Sequence, residues 1–188
     1  MVLQRIKTRE EIKKKSKQNQ IIIGVVMIGL LVLATGGYSI MSSTESSNKV
    51  TDKGLKFYKD QEYGFWTTQV AGQNLAMQLL PSDVEEVLVE GVYSLEVYRG
   101  EPLYLVGDNL AWREIIGNLG VHVSRYQEAC MIGSDCVEDL PIKDCDSNVI
   151  IFEEGNDTQV YREDNCVFLI GDVIQATDAF LYRLFGII

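Results

Sequence analysis

Ile21-Ile22-Ile23-Gly24-Val25-Val26-Met27-Ile28-Gly29-Leu30-Leu31-Val32-Leu33-Ala34 decides the reading of this chain. The stretch runs on through Tyr38 and Ile40 to Met41 without a charged residue. At a helical rise of about 1.5 Å per residue, residues 21–41 match the ~30 Å hydrocarbon core of a bilayer. Residues 21–34 supply no polar face, and a core helix of a soluble protein rarely lacks one. The expected architecture is α+β: one N-terminal transmembrane helix, then a small mixed-sheet domain with two or three helices.

The charges in front of the span give it a direction. Arg5, Lys7, Arg9, Lys13, Lys14, Lys15 and Lys17 stand against Glu10 and Glu11, a net of +5 over residues 1–20. Basic residues flanking a span stay on the cytoplasmic side, and near anionic headgroups each contributes about 1 kcal/mol of attraction. The N-terminus is therefore expected inside and residues 42–188 outside, in a single pass. A cleaved secretory signal is the alternative, because residues 21–34 suit a signal core and Ala34-Thr35-Gly36 offers small residues for a peptidase. Against it, the polar segment before the span is long, and the apolar stretch continues past that cut.

Beyond Met41 the chain has the length of one ordinary domain. Ten Lys and Arg face 25 Asp and Glu there, a net of −15. Such a surface repels phosphate backbones, which argues against nucleic-acid binding. The acids are scattered and show no calcium-loop spacing. No metal or cofactor is expected.

Cys130, Cys136, Cys145 and Cys166 all lie beyond the span. An even number of cysteines on the outer side reads as a disulfide framework. Of three pairings, the preferred one closes a short loop with Cys130–Cys136 and ties two neighbouring strands with Cys145–Cys166. The rivals are free thiols and a zinc site, and zinc typically wants paired ligands at Cys-x₂₋₄-Cys spacing; here the closest pair is Cys-x₅-Cys, and the only histidine, His122, stands alone.

Residues 1–20 read as a basic cytoplasmic segment, residues 42–54 as a flexible tether of almost no apolar content, and residues 55–188 as the folded domain. Within it, Phe65 to Ala71 and Asn74 to Leu80 form a hairpin around Gly72-Gln73. Ser82 and Glu85 form a capping box for a short helix. Val92 to Arg99 and Leu103 to Val106 read as strands. Asp108 caps a helix to Leu119 with Gly120 as its stop, and Val121 to Tyr126 follows as a strand carrying His122. Residues 127–148 read as irregular. Val149 to Glu153 and Thr158 to Arg162 form a hairpin over Gly155-Asn156-Asp157, placing the glycosylation sequon at Asn156 on an exposed turn. Cys166 to Ile170 is a last strand. Asp172 caps the closing helix, and Gly186-Ile187-Ile188 is expected to dock.

Several of these segments carry a resemblance. Pro141-Ile142-Lys143-Asp144-Cys145, Val149-Ile150-Ile151-Phe152, Asn165-Cys166-Val167 and Leu181-Tyr182-Arg183-Leu184-Phe185-Gly186-Ile187 resemble a family of small uncharacterised archaeal single-pass membrane proteins with a Cys-containing outer domain. The stretch from Lys17 to Gly24 is similar to theirs as well. The resemblance implies an archaeal envelope and an outward-facing domain, and its paired Cys145 and Cys166 agree with the preferred disulfides. It supplies no catalytic residue.

A lone histidine, no Gly-x-Ser-x-Gly and no phosphate-binding glycine loop leave no catalytic signature. The expected role is a membrane-anchored extracytoplasmic binding or scaffolding protein, an accessory subunit of an envelope complex. Its partners would be the lipid bilayer and another envelope protein or a second copy of itself. Tyr58, Tyr63 and Trp66 are the candidate partner surface. The alternative is a ligand-binding or enzymatic outer domain with a polar pocket near His122.

Overall fold

The computed structural model describes residues 22–28, 30, 48–107, 110–136 and 139–188. Residues 22–28 and 30 are helical. Most of the expected span, the basic segment and residues 42–47 lie outside the described residues. Among the described residues no helix is long and apolar enough to cross a membrane.

The unit from Lys49 onward is α+β. Strands β1 (Lys49–Asp52), β2 (Leu55–Lys59), β3 (Trp66–Val70) and β4 (Gln73–Met77) form an antiparallel meander. The domain thus begins six residues before Leu55, inside the stretch expected as tether. Lys49 to Asp52 has no apolar periodicity, and pairing with β2 across the Lys53-Gly54 turn makes it a strand. The β3–β4 hairpin forms as expected but turns one residue earlier, at Ala71-Gly72 and not Gly72-Gln73: Ala71 and Gly72 both have positive φ, 49° and 86°, which suits a two-residue turn matched to strand twist, and Gln73 already pairs with Val70.

The second sheet has order β5-β11-β12-β10-β6-β7. Its strands are β5 (Leu88–Val89), β6 (Pro102–Gly107), β7 (Arg125–Glu128), β10 (Asn148–Glu153), β11 (Gln159–Glu163) and β12 (Cys166–Ile170). β6, helix α1 (Trp112–Leu119) and β7 make a parallel strand–helix–strand unit, as the sequence suggests. Gly107 ends β6 at φ 96°, where a Cβ would collide with the Phe152 carbonyl of β10. Two short strands, β8 (Cys130–Met131) and β9 (Ile142–Lys143), pair in the segment read as irregular.

Four expectations are corrected. Ser82 caps no helix; residues Pro81–Val84 form one 3-10 turn, and Asp83 accepts from the Leu80 N–H. Val92 to Arg99 is not a strand. A 3-10 turn over Leu95–Val97 instead lets Tyr93 and Tyr98 both reach the Phe180 ring, while Val92 stays exposed. His122 precedes β7, which starts only at Arg125. The strands flanking Gly155-Asn156-Asp157 do not pair with each other: β12 lies between them, parallel to β10 and antiparallel to β11. Val149, Ile150, Ile151 and Phe152 are all buried, so β10 needs cover on both faces and takes a central place. The tight turn is at Asp164-Asn165. The expected cap Asp108 lies outside the described residues.

Helix α2 (Val173–Leu184) closes the core. Asp172 caps it, accepting from the Ile174 and Gln175 N–H groups. Ala176, Ala179, Phe180, Leu181 and Tyr182 are fully buried in one cluster that holds Phe57, Leu75 and Met77 of the first sheet and Leu105, Ile150 and Leu169 of the second. Ile187 and Ile188 pack against this cluster, so the tail docks as expected.

Polar side chains of both helices close the free edge of β4. Ala76 in β4 and Gln78 just beyond it point their N–H groups away from β3. Asn118 accepts from Ala76 N at 2.9 Å and donates to Ala76 O at 2.8 Å; Glu114 accepts from Gln78 N at 2.6 Å and from Gln78 Nε2 at 3.0 Å. Four residues of helix rise about 6 Å, and two residues of strand about 6.6 Å, so α1 can serve successive outward groups of a strand. Asp178 of α2 extends the row to Leu79 N at 2.8 Å, and the Tyr182 hydroxyl donates to Leu79 O at 2.6 Å.

Two buried carboxyls so close cannot both ionise without loss. Asp178 is fully buried, its Oδ1 meets hydrogen-bond geometry with no partner among the described residues, and burial, with the charge of Glu114 second, holds it well above the usual carboxylate range. Burial also raises Glu114, against its hydrogen bonds. The native state therefore binds a proton that the unfolded state has released. Stability should be fully present below the unfolded carboxylate pKa and fall as pH rises through the raised value. Denaturant unfolding across pH 4–9 should show this decline, and Asp178→Asn should flatten it; an unchanged slope in the variant would refute the assignment.

Candidate functional site

The second sheet has two faces. One joins the main core. The other carries Tyr104, Val149, Ile151 and Cys166, covered by Ala129, Met131 and Cys145 from the β8–β9 segment. That cover is stapled as the sequence predicts: Cys130 bonds Cys136 and Cys145 bonds Cys166. Separations of six and 21 residues correspond to about 2 and about 3 kcal/mol of chain-entropy stabilisation.

Beside Tyr104 and Lys143 lies an open cavity of about 470 Å³, lined also by Glu101, Asp146, Asn148 and Asn165, among others. Tyr104 is 4% exposed. Arg125 of β7 donates from Nη2 to its hydroxyl at 3.0 Å, and the Lys143 ammonium of β9 sits 4.2 Å from its ring centroid. Neither base forms an ion pair with a carboxylate among the described residues. Lys143 first and Arg125 second favour the ionised phenol and lower the Tyr104 pKa, outweighing burial. A phenol that ionises easily beside two cations can bind a polar ligand or exchange a proton with it.

No family model, no curated protein and no solved structure matches this chain. The functional reading therefore rests on the chain's own residues.

The residues singled out from sequence are dispersed. Asn156 is exposed on the loop between β10 and β11, open to modification, while the sequon's Thr158 accepts from the Asp172 N–H. Tyr58 and Tyr63 are exposed. Trp66 does not join Tyr58 in one surface. Tyr58 pairs with Thr67, and the two-residue period of a strand puts Trp66 on the opposite face, where it packs on the core with Lys59 over its ring. His122 bonds Gln73 Oε1 through Nε2 at 2.6 Å, and Gln73 donates to the Asn118 carbonyl. It belongs to the β4–α1 junction and does not line the Tyr104 cavity. Among the described residues no metal-ligating group forms.

Sequence reading passes over Tyr104, Arg125 and Lys143 because three separate strands bring them together. The available signal is that Lys143 is the only base between Arg125 and Arg162 in a strongly acidic chain. With tyrosine ring carbons labelled, Tyr104 should ionise at lower pH than the other resolved tyrosines, and Arg125→Gln should move it upward. A Tyr104 that titrates with the exposed tyrosines would remove the site.

Proposed function

We propose that this chain is a membrane-anchored extracytoplasmic binding or scaffolding protein, an accessory subunit of an envelope complex. In this reading residues 21–41 span the membrane once, the N-terminus is cytoplasmic, and the domain from Lys49 faces outward, as in the archaeal family it resembles. The observation that carries the reading is the helical stretch behind the +5 segment. Its large side chains Ile22, Ile23, Val25, Val26, Met27, Ile28 and Leu30 are all apolar and 55–65% exposed. Water makes such a surface costly, at roughly 25 cal/mol per Å², and lipid removes that cost. Two disulfides that consume all four cysteines support an oxidising address.

A second reading is favoured by one observation, the Tyr104 cavity. An outer domain with a buried phenol and two cations beside an open cavity suits capture of a small polar ligand. Anchoring and capture are compatible, and the ligand reading concerns the domain alone.

Topology is testable in intact cells. Protease added outside should digest the domain from Lys49 onward, and a thiol reagent applied without reductant should leave all four cysteines unlabelled. A protected domain with labelled thiols would contradict the proposal. The mass of the mature N-terminus separates a retained anchor from a cleaved signal.

A further inference from the structure

The disulfide-closed ribbon presents an outward face as well as an inward one. β8 and β9 pair in parallel, Cys130 opposite Ile142 and Met131 opposite Lys143, and Ile132 N donates to Lys143 O at 2.8 Å. Met131 packs on the outer cluster of the second sheet, and Lys143 covers the Tyr104 ring. Side chains alternate along an extended ribbon, so Ile132 and Ile142 share the side turned away from the protein. They are 69% and 65% exposed. Other exposed apolar residues, such as Val92 and Val121, lie in segments that connect strands and helices, which is ordinary for a protein surface. Two isoleucines side by side on a stapled ribbon are different: they cannot fold inward to hide.

The charge around them is of one sign. Glu128, Asp135, Asp139 and Asp144 are exposed in this segment, and its only base, Lys143, is turned inward onto Tyr104. An apolar centre with an acidic rim is poorly suited to anionic headgroups or to a second copy of the same face, since like charges would meet. It fits a surface of opposite charge.

We propose that the β8–β9 ribbon is the partner-docking surface of this domain, and that the partner is a protein offering an apolar pocket rimmed by lysine and arginine. The two isoleucines fill the pocket, and the acids give attraction and register. The Cys130–Cys136 bond holds the ribbon in its docking shape, which lowers the ordering cost of association. This assignment rests on the reading of the chain as a binding protein and replaces Tyr58, Tyr63 and Trp66 as the surface that binds.

The test uses the full chain in its native membranes, with a photoreactive phenylalanine placed at Ile132, at Ile142 or, for comparison, at Tyr58. Ile132 and Ile142 should give a protein adduct, and the crosslinked partner peptide should be flanked by lysine or arginine. Charge reversal by Asp135→Lys with Asp139→Lys should reduce the adduct at least tenfold, and high salt should weaken it; intact disulfides by mass verify that the variant folds. An adduct from Tyr58 alone would overturn the ribbon assignment and leave the binding reading standing. No protein adduct from any of the three positions would overturn both. Adducts to lipid, or adducts indifferent to charge reversal and salt, would overturn the ribbon assignment.

Discussion

A strand edge that ends against helices instead of another strand organises this domain. β4 has β3 on one side, and on the other the side chains of Asn118, Glu114 and Asp178 take the backbone groups of Ala76, Gln78 and Leu79. Left open, that edge would expose donors and acceptors to any passing strand. Left buried and unpaired, each group would cost about 1–3 kcal/mol. Closing it with helix side chains fixes the meander against both helices. The cost is two carboxyls in the interior, of which Asp178 is held by burial well above the usual carboxylate range.

From that junction outward, the domain divides into a part that folds and a part that presents. The main cluster is filled by α2, whose Phe180 and Tyr182 rings meet Tyr93, Tyr98 and Phe57 edge to face, an arrangement that suits the ring quadrupoles. Among the described residues no helix packs on the outer face of the second sheet. A short ribbon covers it instead, with too few apolar residues to hold itself down, and both disulfides are placed there. They give rigidity where packing is thin. The same ribbon brings Lys143 to Tyr104 on its inner side and exposes Ile132 and Ile142 on its outer side, so one element shapes both the cavity and the proposed docking face.

Much of this was legible in the residues because local chemistry and global fold agree. The β3–β4 hairpin (to within one residue of its turn), the Asp172 cap, the β6–α1–β7 unit and the cysteine pairing follow from spacing and turn preference. Failures occur where tertiary pairing overrides local pattern. Lys49 to Asp52 looks like a tether and becomes a strand by recruitment to β2. Val92 to Arg99 looks like a strand and bends so that two tyrosines can bury. Nothing in the local pattern marks Glu114 and Asn118 as interior, yet both are buried on an edge that lies 36 to 42 residues earlier in the chain. The Tyr104 site fails for the same reason, since its members come from β6, β7 and β9.

Native-state hydrogen exchange at the Ala76, Gln78 and Leu79 amides tests the edge closure most directly. Side-chain capping by Asn118, Glu114 and Asp178 predicts that all three exchange only by near-global unfolding, and that Asn118→Ala selectively opens Ala76 while the β3-facing amide of Leu75 stays protected. Rapid exchange of these three amides in the unsubstituted protein would contradict the account.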